Sequence, residues 1–330
     1  MWGGGMINVN IMPRENLYIL KLLDAACACA VNCFFVITGW FSSEKNKVNI
    51  RKPLHIIFIF CIYKAITYLI SVVLGLSEFG CKHFLGTLLP NSYFALMYVS
   101  IIIISPFLNL INKNMSLKNF KTFILIILFL FGVYPSCSDF FCAKFGLNYM
   151  GMSNITIHGN SWGYNLVNFT MMYFLGSYLK VLNKNNNKIF SQNKIIDLIG
   201  YFICSMLIFL FSFVNPHSMH YCNIFVILQS LFLFMFFSKL EIKSPIINWC
   251  AKSVWGIYCI HLCIPFFWSL FDIPEKTLGS FAQMSGNLIL SVVCVFSVSL
   301  LADKIYSIIL FPLFKLVDKI KFFNQELKVE

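Results

Sequence analysis

The sequence predicts an all-α, polytopic transmembrane helical bundle of about nine spans. Three observations predict it. Of the 330 residues, 59% are hydrophobic and 12% charged, with mean hydropathy +0.78. Soluble domains carry about twice that charge. The apolar residues, including 37 Phe, fall in runs near the roughly 20 residues that a helix needs to cross a bilayer. The lysines gather in every second loop, as in a chain with a fixed orientation in the membrane.

Taken in order, the runs are 18–41, 54–76, 92–112, 119–135, 164–182, 195–214, 221–238, 249–271 and 286–314. The first contains Lys21 and Asp24, spaced for an i,i+3 ion pair that would ease their burial. The second contains Lys64, which can snorkel or find an acidic partner such as Asp24. The third contains Ser105 ahead of Pro106, and the serine is expected to satisfy the carbonyl that the proline frees. The last contains Asp303 and Lys304, read as an internal ion pair. It is long enough to tilt, or to end in an interfacial helix near 311–317.

Five loops are rich in lysine, beginning with Lys45, Lys47, Arg51 and Lys52 after the first run and ending with Lys315, Lys319 and Lys321 after the last. The loops at 80–90, 136–163, 215–220 and 272–286 are poor in Lys and Arg. The lysine loops and the C-terminus are therefore expected in the cytoplasm. The expected organisation is a short extracytoplasmic segment at 1–16, a transmembrane domain at 17–317 and a cytoplasmic tail at 318–330. Topology accounts for the net charge of +12, so no nucleic-acid partner is expected. The first 16 residues lack the order of a cleavable signal peptide. Most of the 13 cysteines lie in apolar runs, where Cys acts as a small hydrophobe, and a Cys137–Cys142 bridge is not expected. Asn154 and Asn168 match the glycosylation pattern, which is frequent by chance.

No P-loop, zinc-ligand spacing, GxSxG elbow or HExxH is present, and no metal is expected. Any chemistry must use residues in the spans and the short outer loops. The stretch 253–265, SVWGIYCIHLCIP, places His261 inside an apolar run. An imidazole there faces a protein interior or a wet cavity. It is either a packed histidine or a base that titrates near neutrality. Tyr258 lies on the same helical face.

Three stretches resemble the acyltransferase-3 family of integral-membrane acyltransferases: Ala28–Phe41 (ACAVNCFFVITGWF, with Thr38 where the family usually has Ser), Asn91–Asn109 (NSYFALMYVSIIIISPFLN) and Gly256–His261 (GIYCIH). Tyr164–Lys180 is similar more loosely. The resemblance implies about ten spans, and acetyl transfer from cytoplasmic acetyl-CoA to a hydroxyl of a cell-surface polysaccharide or lipid-linked glycan at the bacterial cytoplasmic membrane. For such a transfer His261 is the candidate base, with Tyr258, Asn32 and Lys64 as candidate substrate-side residues and Arg51 and Lys52 as a basic patch that could grip the coenzyme A phosphates. Each has a plainer reading: Asn32 as a helix partner, Lys64 as a snorkelling side chain, and Arg51 with Lys52 as topological charges. Trp162 and Tyr164 could stack on a sugar or simply sit at the interface.

The family's first helix carries a basic residue followed by a histidine, and here no His precedes His55. That pattern points to an internal start, a truncated chain or an inactive one. Two other functions stay open: a glycan or small-solute transporter, against which the lack of visible repeat halves counts, and an inactive assembly partner of glycan enzymes.

Overall fold

Helix α1 (Arg14–Cys27) and helix α2 (Ala30–Ser42) divide the first apolar run, which is not a single helix. The structure is a computed structural model that describes residues 12–146, 163–215, 217–263, 278–317, 319 and 325–328. The chain leaves the helix at Ala28 and Cys29 with no Gly or Pro to force it. Distant side chains satisfy the carbonyls exposed at the break. Gln229 Nε2 donates to Ala25 and Ala26 at 2.9 and 3.2 Å, and the Tyr201 hydroxyl donates to Ala26 at 2.8 Å. Apolar surroundings require such partners, because no water is at hand to replace them. Lys21 places its ammonium 3.4 Å from the Ser212 carbonyl and 4.4 Å over the Phe213 ring.

The remaining elements are β1 (Lys47–Asn49), α3 (Arg51–Val73), α4 (Cys81–Thr87), α5 (Tyr93–Asn114), α6 (Leu117–Leu128), a π-helical turn (Phe129–Val133), α7 (Tyr134–Phe145), α8 (Leu166–Lys184), α9 (Lys188–Ser191), α10 (Lys194–Phe211), α11 (Ile224–Ser238), α12 (Pro245–Ala251), α13 (Val254–Cys263), α14 (Phe281–Val317) and β2 (Glu326–Lys328). Polar side chains start several of these helices: Ser116, Asn165, Asn193, Asn223 and Ser244 each accept a first-turn N–H, as N-caps do. Among the described residues, six helical stretches are long and apolar enough to cross a membrane: Arg14–Ser42, Arg51–Val73, Tyr93–Asn114, Leu117–Phe145, Lys194–Phe211 and Phe281–Leu316. Ile224–Ser238 is apolar but shorter. The run at 249–271 divides into α12 and α13, and its residues beyond Cys263 lie outside the described set.

The helices gather into two compact units. One holds Met1–Ile19, Asn49–Val99 and Ile242–Glu326. Its core is Phe60, Cys61 and Tyr63 of α3, Cys259 and Ile260 of α13, and Tyr306 of α14. Here the expected Asp303–Lys304 pair gives way to two separate contacts, because adjacent residues diverge by about 100° around a helix. Asp303 Oδ1 accepts from the Tyr63 hydroxyl at 2.9 Å. Lys304 reaches the Trp249 carbonyl at 3.1 Å and lies 4.7 Å over its ring.

The other unit holds Leu20–Val48, Ser100–Glu241 and Leu327–Glu330. Its centre is α8, which buries Phe169, Met171, Met172, Tyr173, Phe174 and Leu175 in succession. Helix α2 crosses α8 closely: Phe35 stacks on Phe169 at 4.0 Å, and Gly39 and Gly176 bring the two backbones together. A second core joins Ala25, Ala28 and Cys29 to Ile208 of α10 and Val226 of α11. Ser105 Oγ donates to the Ile102 carbonyl at 2.8 Å, the group that Pro106 leaves without its helical donor. Buried Asp197 meets Lys239 at 2.5 Å.

Candidate functional site

Helix α13 is two-faced. Gly256, Cys259 and Ile260 turn inward, Cys259 and Ile260 being 0% and 1% exposed, and this is the i, i+3, i+4 stripe of a packed helix. Tyr258 and His261 share another face. Gly256 is required by its neighbour: a Cβ there would lie 1.7 Å from Asp303 Oδ1.

The second face begins with a cluster of rings. Trp255 lies between Tyr98 (6.2 Å) and Tyr258 (5.3 Å), and Phe94 lies 4.9 Å from Tyr258. His261 follows, edge-on to Tyr258 at 5.7 Å. It is exposed, and its Nδ1 lies 3.0 Å from the Ile257 carbonyl. A carbonyl oxygen only accepts, so Nδ1 is the donor in this bond. In the neutral ring this leaves the lone pair on Nε2. The backbone of α13 thus selects the tautomer whose lone pair is on Nε2.

Polar groups continue from Tyr258. Its hydroxyl lies 3.2 Å from Ser92 Oγ, which also accepts from the Ala95 N–H at 3.3 Å and so caps α5. The next residue back, Asn91, accepts from Lys64 Nζ at 2.7 Å, and Lys64 also reaches the Gly86 carbonyl at 3.3 Å. The structure therefore links three of the sequence-predicted residues, His261, Tyr258 and Lys64, through Asn91 and Ser92. Asn91 and Ser92 are not among the sequence-predicted residues, although they open the family-like stretch Asn91–Asn109. Two adjacent small polar residues ahead of an aromatic helix were the available signal.

The other predicted residues are placed apart from this chain of contacts. Asn32 is fully buried in the second unit. It donates to the Tyr221 carbonyl at 2.8 Å and accepts from Asn168 at 3.5 Å, the helix-partner arrangement. Asn168, 2% exposed at the start of α8, is no accessible glycan acceptor. Asn154 and Trp162 lie outside the described residues. Tyr164 is edge-on to Phe169 and Tyr221 at 5.2 and 5.1 Å. Arg51 and Lys52 are exposed in the first turn of α3, where the Arg51 N–H bonds Asn49 Oδ1 at 2.9 Å. Among the described residues, no three His, Cys, Asp or Glu side chains gather as a metal site.

A chain whose described residues are almost wholly helical, with six stretches long and apolar enough to cross a membrane, is an integral-membrane helical bundle. Residues 5–302 match the model of the acyltransferase-3 family, described as an acyltransferase domain, and the chain belongs to that family. It is a membrane acyltransferase. No curated protein and no solved structure matches it.

Proposed function

We propose that the protein is an O-acetyltransferase that moves acetyl from acetyl-CoA to a hydroxyl of a cell-surface polysaccharide or lipid-linked glycan, with His261 as general base. The observation that carries this reading is the bond between His261 Nδ1 and the Ile257 carbonyl, which keeps Nε2 available on an exposed ring. Nε2 takes the proton of the acceptor hydroxyl while that oxygen bonds to the thioester carbonyl carbon. The C–S bond then breaks, and coenzyme A leaves as a thiol with the proton returned from Nε2. Tyr258 is placed to donate to the carbonyl oxygen as it gains charge. Lys64, through Asn91 and Ser92, holds the Tyr258 hydroxyl in position. Arg51 and Lys52 are exposed cations suited to phosphate. The distribution of lysines supports a cytoplasmic C-terminus, and the reading takes the acceptor to lie at the outer face of the bacterial cytoplasmic membrane.

The test is transfer of labelled acetyl from acetyl-CoA to membrane glycan in vesicles carrying the protein. His261→Gln keeps the size of the ring roughly and removes the base, and it is expected to lower transfer by about 10²-fold or more. Transfer at the unaltered rate in that variant would remove His261 from the mechanism. Solute flux without acyl transfer would favour a transporter instead.

A further inference from the structure

The short loop after α2 carries Glu44, and three lysines from two other helices converge on it. Lys184, at the end of α8, pairs with the Glu44 carboxylate, and both side chains are more than half exposed, 60% and 54%. Lys113, in the last turn of α5, donates to the Glu44 carbonyl at 3.1 Å and also bonds Asn46 Oδ1. Lys180, one turn before Lys184, lies 4.9 Å over the ring of Trp40. The Lys184 bond, with the charges of Lys180 and Lys113 behind it, holds the Glu44 carboxyl below the ordinary carboxylate range. One carboxylate among three ammonium groups leaves the cluster strongly positive.

The loop itself is fixed from below. Asn109, 1% exposed, donates to the Ser42 and Lys45 carbonyls at 2.6 and 2.9 Å and accepts from the buried Tyr173 hydroxyl at 2.7 Å. A fully paired buried network therefore fixes the backbone that presents Glu44. Repulsion among like charges opposes such a gathering, and an exposed pair such as Lys184–Glu44 returns little. A ligand bearing several negative charges would repay it. The half-buried Trp40 ring, flanked by Phe190 at 5.6 Å and Phe234 at 5.1 Å, adds a flat aromatic wall. Lysine point charges beside such a wall are the chemistry of a nucleotide's phosphates and base.

We infer that Lys113, Lys180 and Lys184 bind the phosphates at the nucleotide end of the acyl donor, with Trp40 beside the base and Glu44 as the group those phosphates displace. The inference rests on the acetyl-CoA reading proposed above for the donor's identity, and the cluster itself rests on geometry. An anionic lipid headgroup offers the same phosphate chemistry, and the experiment separates the two sources.

The experiment is equilibrium binding of labelled coenzyme A to the full chain in nanodiscs of zwitterionic lipid, against 3′-dephospho-coenzyme A and pantetheine. Coenzyme A is expected to bind tighter than the dephospho form, and pantetheine to bind weakly. Lys113→Gln, Lys180→Gln and Lys184→Gln are each expected to weaken coenzyme A about tenfold, one charge-assisted contact apiece. Glu44→Gln, which removes the competing anion, is expected to tighten it by several-fold. Melting temperatures of the variants report whether the fold is kept. Wild-type affinity in a folded triple lysine variant overturns the site. So does a triple variant that loses only its retention of anionic lipid from mixed nanodiscs. Coenzyme A binding that depends on the lysines, without any acetyl transfer, keeps the site and removes the acetyltransferase reading. Transfer that ignores the lysines does the reverse.

Discussion

The carboxylate of Asp303 fills the space where a side chain on Gly256 would begin: a Cβ would lie 1.7 Å from its Oδ1 and 2.3 Å from its Cγ. The same oxygen accepts from Tyr63 at 2.9 Å. Helix α13, which carries Tyr258 and His261, is therefore seated on α14 through a glycine and a buried acid. Gly256→Ala is expected to push Asp303 away from Tyr63, at a cost of about 1–3 kcal/mol, and to lower acyl transfer by displacing α13. Asp303→Ala makes room for the added methyl. The double variant should thus be less destabilised than the sum of the singles, by a coupling of about 0.5 kcal/mol or more. Thermal unfolding of all four proteins in one detergent measures it. Additive losses would show that the contact does not matter.

Helices α2 and α8 approach through Gly39 and Gly176. A Cβ on Gly39 would stand 2.0 Å from the Tyr173 carbonyl oxygen, and one on Gly176 would stand 2.1 Å from that of Val36. These obstacles are backbone and cannot swing aside, so the helices themselves must separate. Small residues serve this purpose at membrane helix crossings. On Gly200 the obstacle is the Phe232 ring at 2.7 Å, a side chain that can turn. Gly39→Ala and Gly176→Ala are expected to lower the melting temperature clearly more than Gly200→Ala. Equal effects in the three variants would contradict the close crossing.

Tyr173→Phe tests the network beneath the Glu44 loop. The hydroxyl is lost and the buried Asn109 Oδ1 loses its donor at 2.7 Å. Leaving a buried acceptor unsatisfied costs about 1–3 kcal/mol. The expected result is reduced thermal stability, with faster hydrogen exchange at residues 42–46 than in the wild type. Unchanged exchange in that loop would mean that Asn109 holds it without the tyrosine.

Much of this was legible in the sequence, for identifiable reasons. Apolar runs fixed the positions of most helices, because composition alone decides what can sit in a bilayer. Ser105 was legible because the carbonyl freed by Pro106 is local. The facing of Tyr258 and His261 followed from their spacing on one helix. Asn32 was seen to have a helix-partner reading, and Asn168 and Tyr221 supply the partners. Contacts made by distant residues were not legible. The carbonyls at the break before Ala28 are met by Gln229 and Tyr201, 204 and 175 positions away in sequence. Adjacency in sequence suggests Lys304 as the partner of Asp303, whereas the partner is Tyr63 on another helix. The lysines of separate loops carry a topological signal in the sequence, and only the fold brings Lys113 and Lys184 to Glu44 with Lys180 over the nearby Trp40.

The loop before α11 supplies a dependence on pH. His217 Nδ1 and His220 Nε2 lie 3.2 Å apart, and His220 is 7% exposed. Burial first, and then the charge of His217, press the His220 pKa down from 6.5 to about 3. Cys222 beside it does not titrate near neutrality, because burial, helped by Asp139, pushes its thiol up to about 12. The sign follows from proton counting. As pH falls below 6.5 the unfolded chain takes a proton on this histidine, while the folded chain does not until about pH 3. The unfolded state therefore binds more protons through that window, and stability declines as pH falls across it. Above the ordinary histidine value both states are neutral there, and the group contributes no slope. His220→Gln removes the group, so the variant's melting temperature is expected to fall less than the wild type's between about pH 7 and about pH 5. Other groups shared by the two proteins cancel in that difference. Parallel curves for wild type and variant would mean that His220 takes its proton in the folded protein as easily as in the unfolded chain.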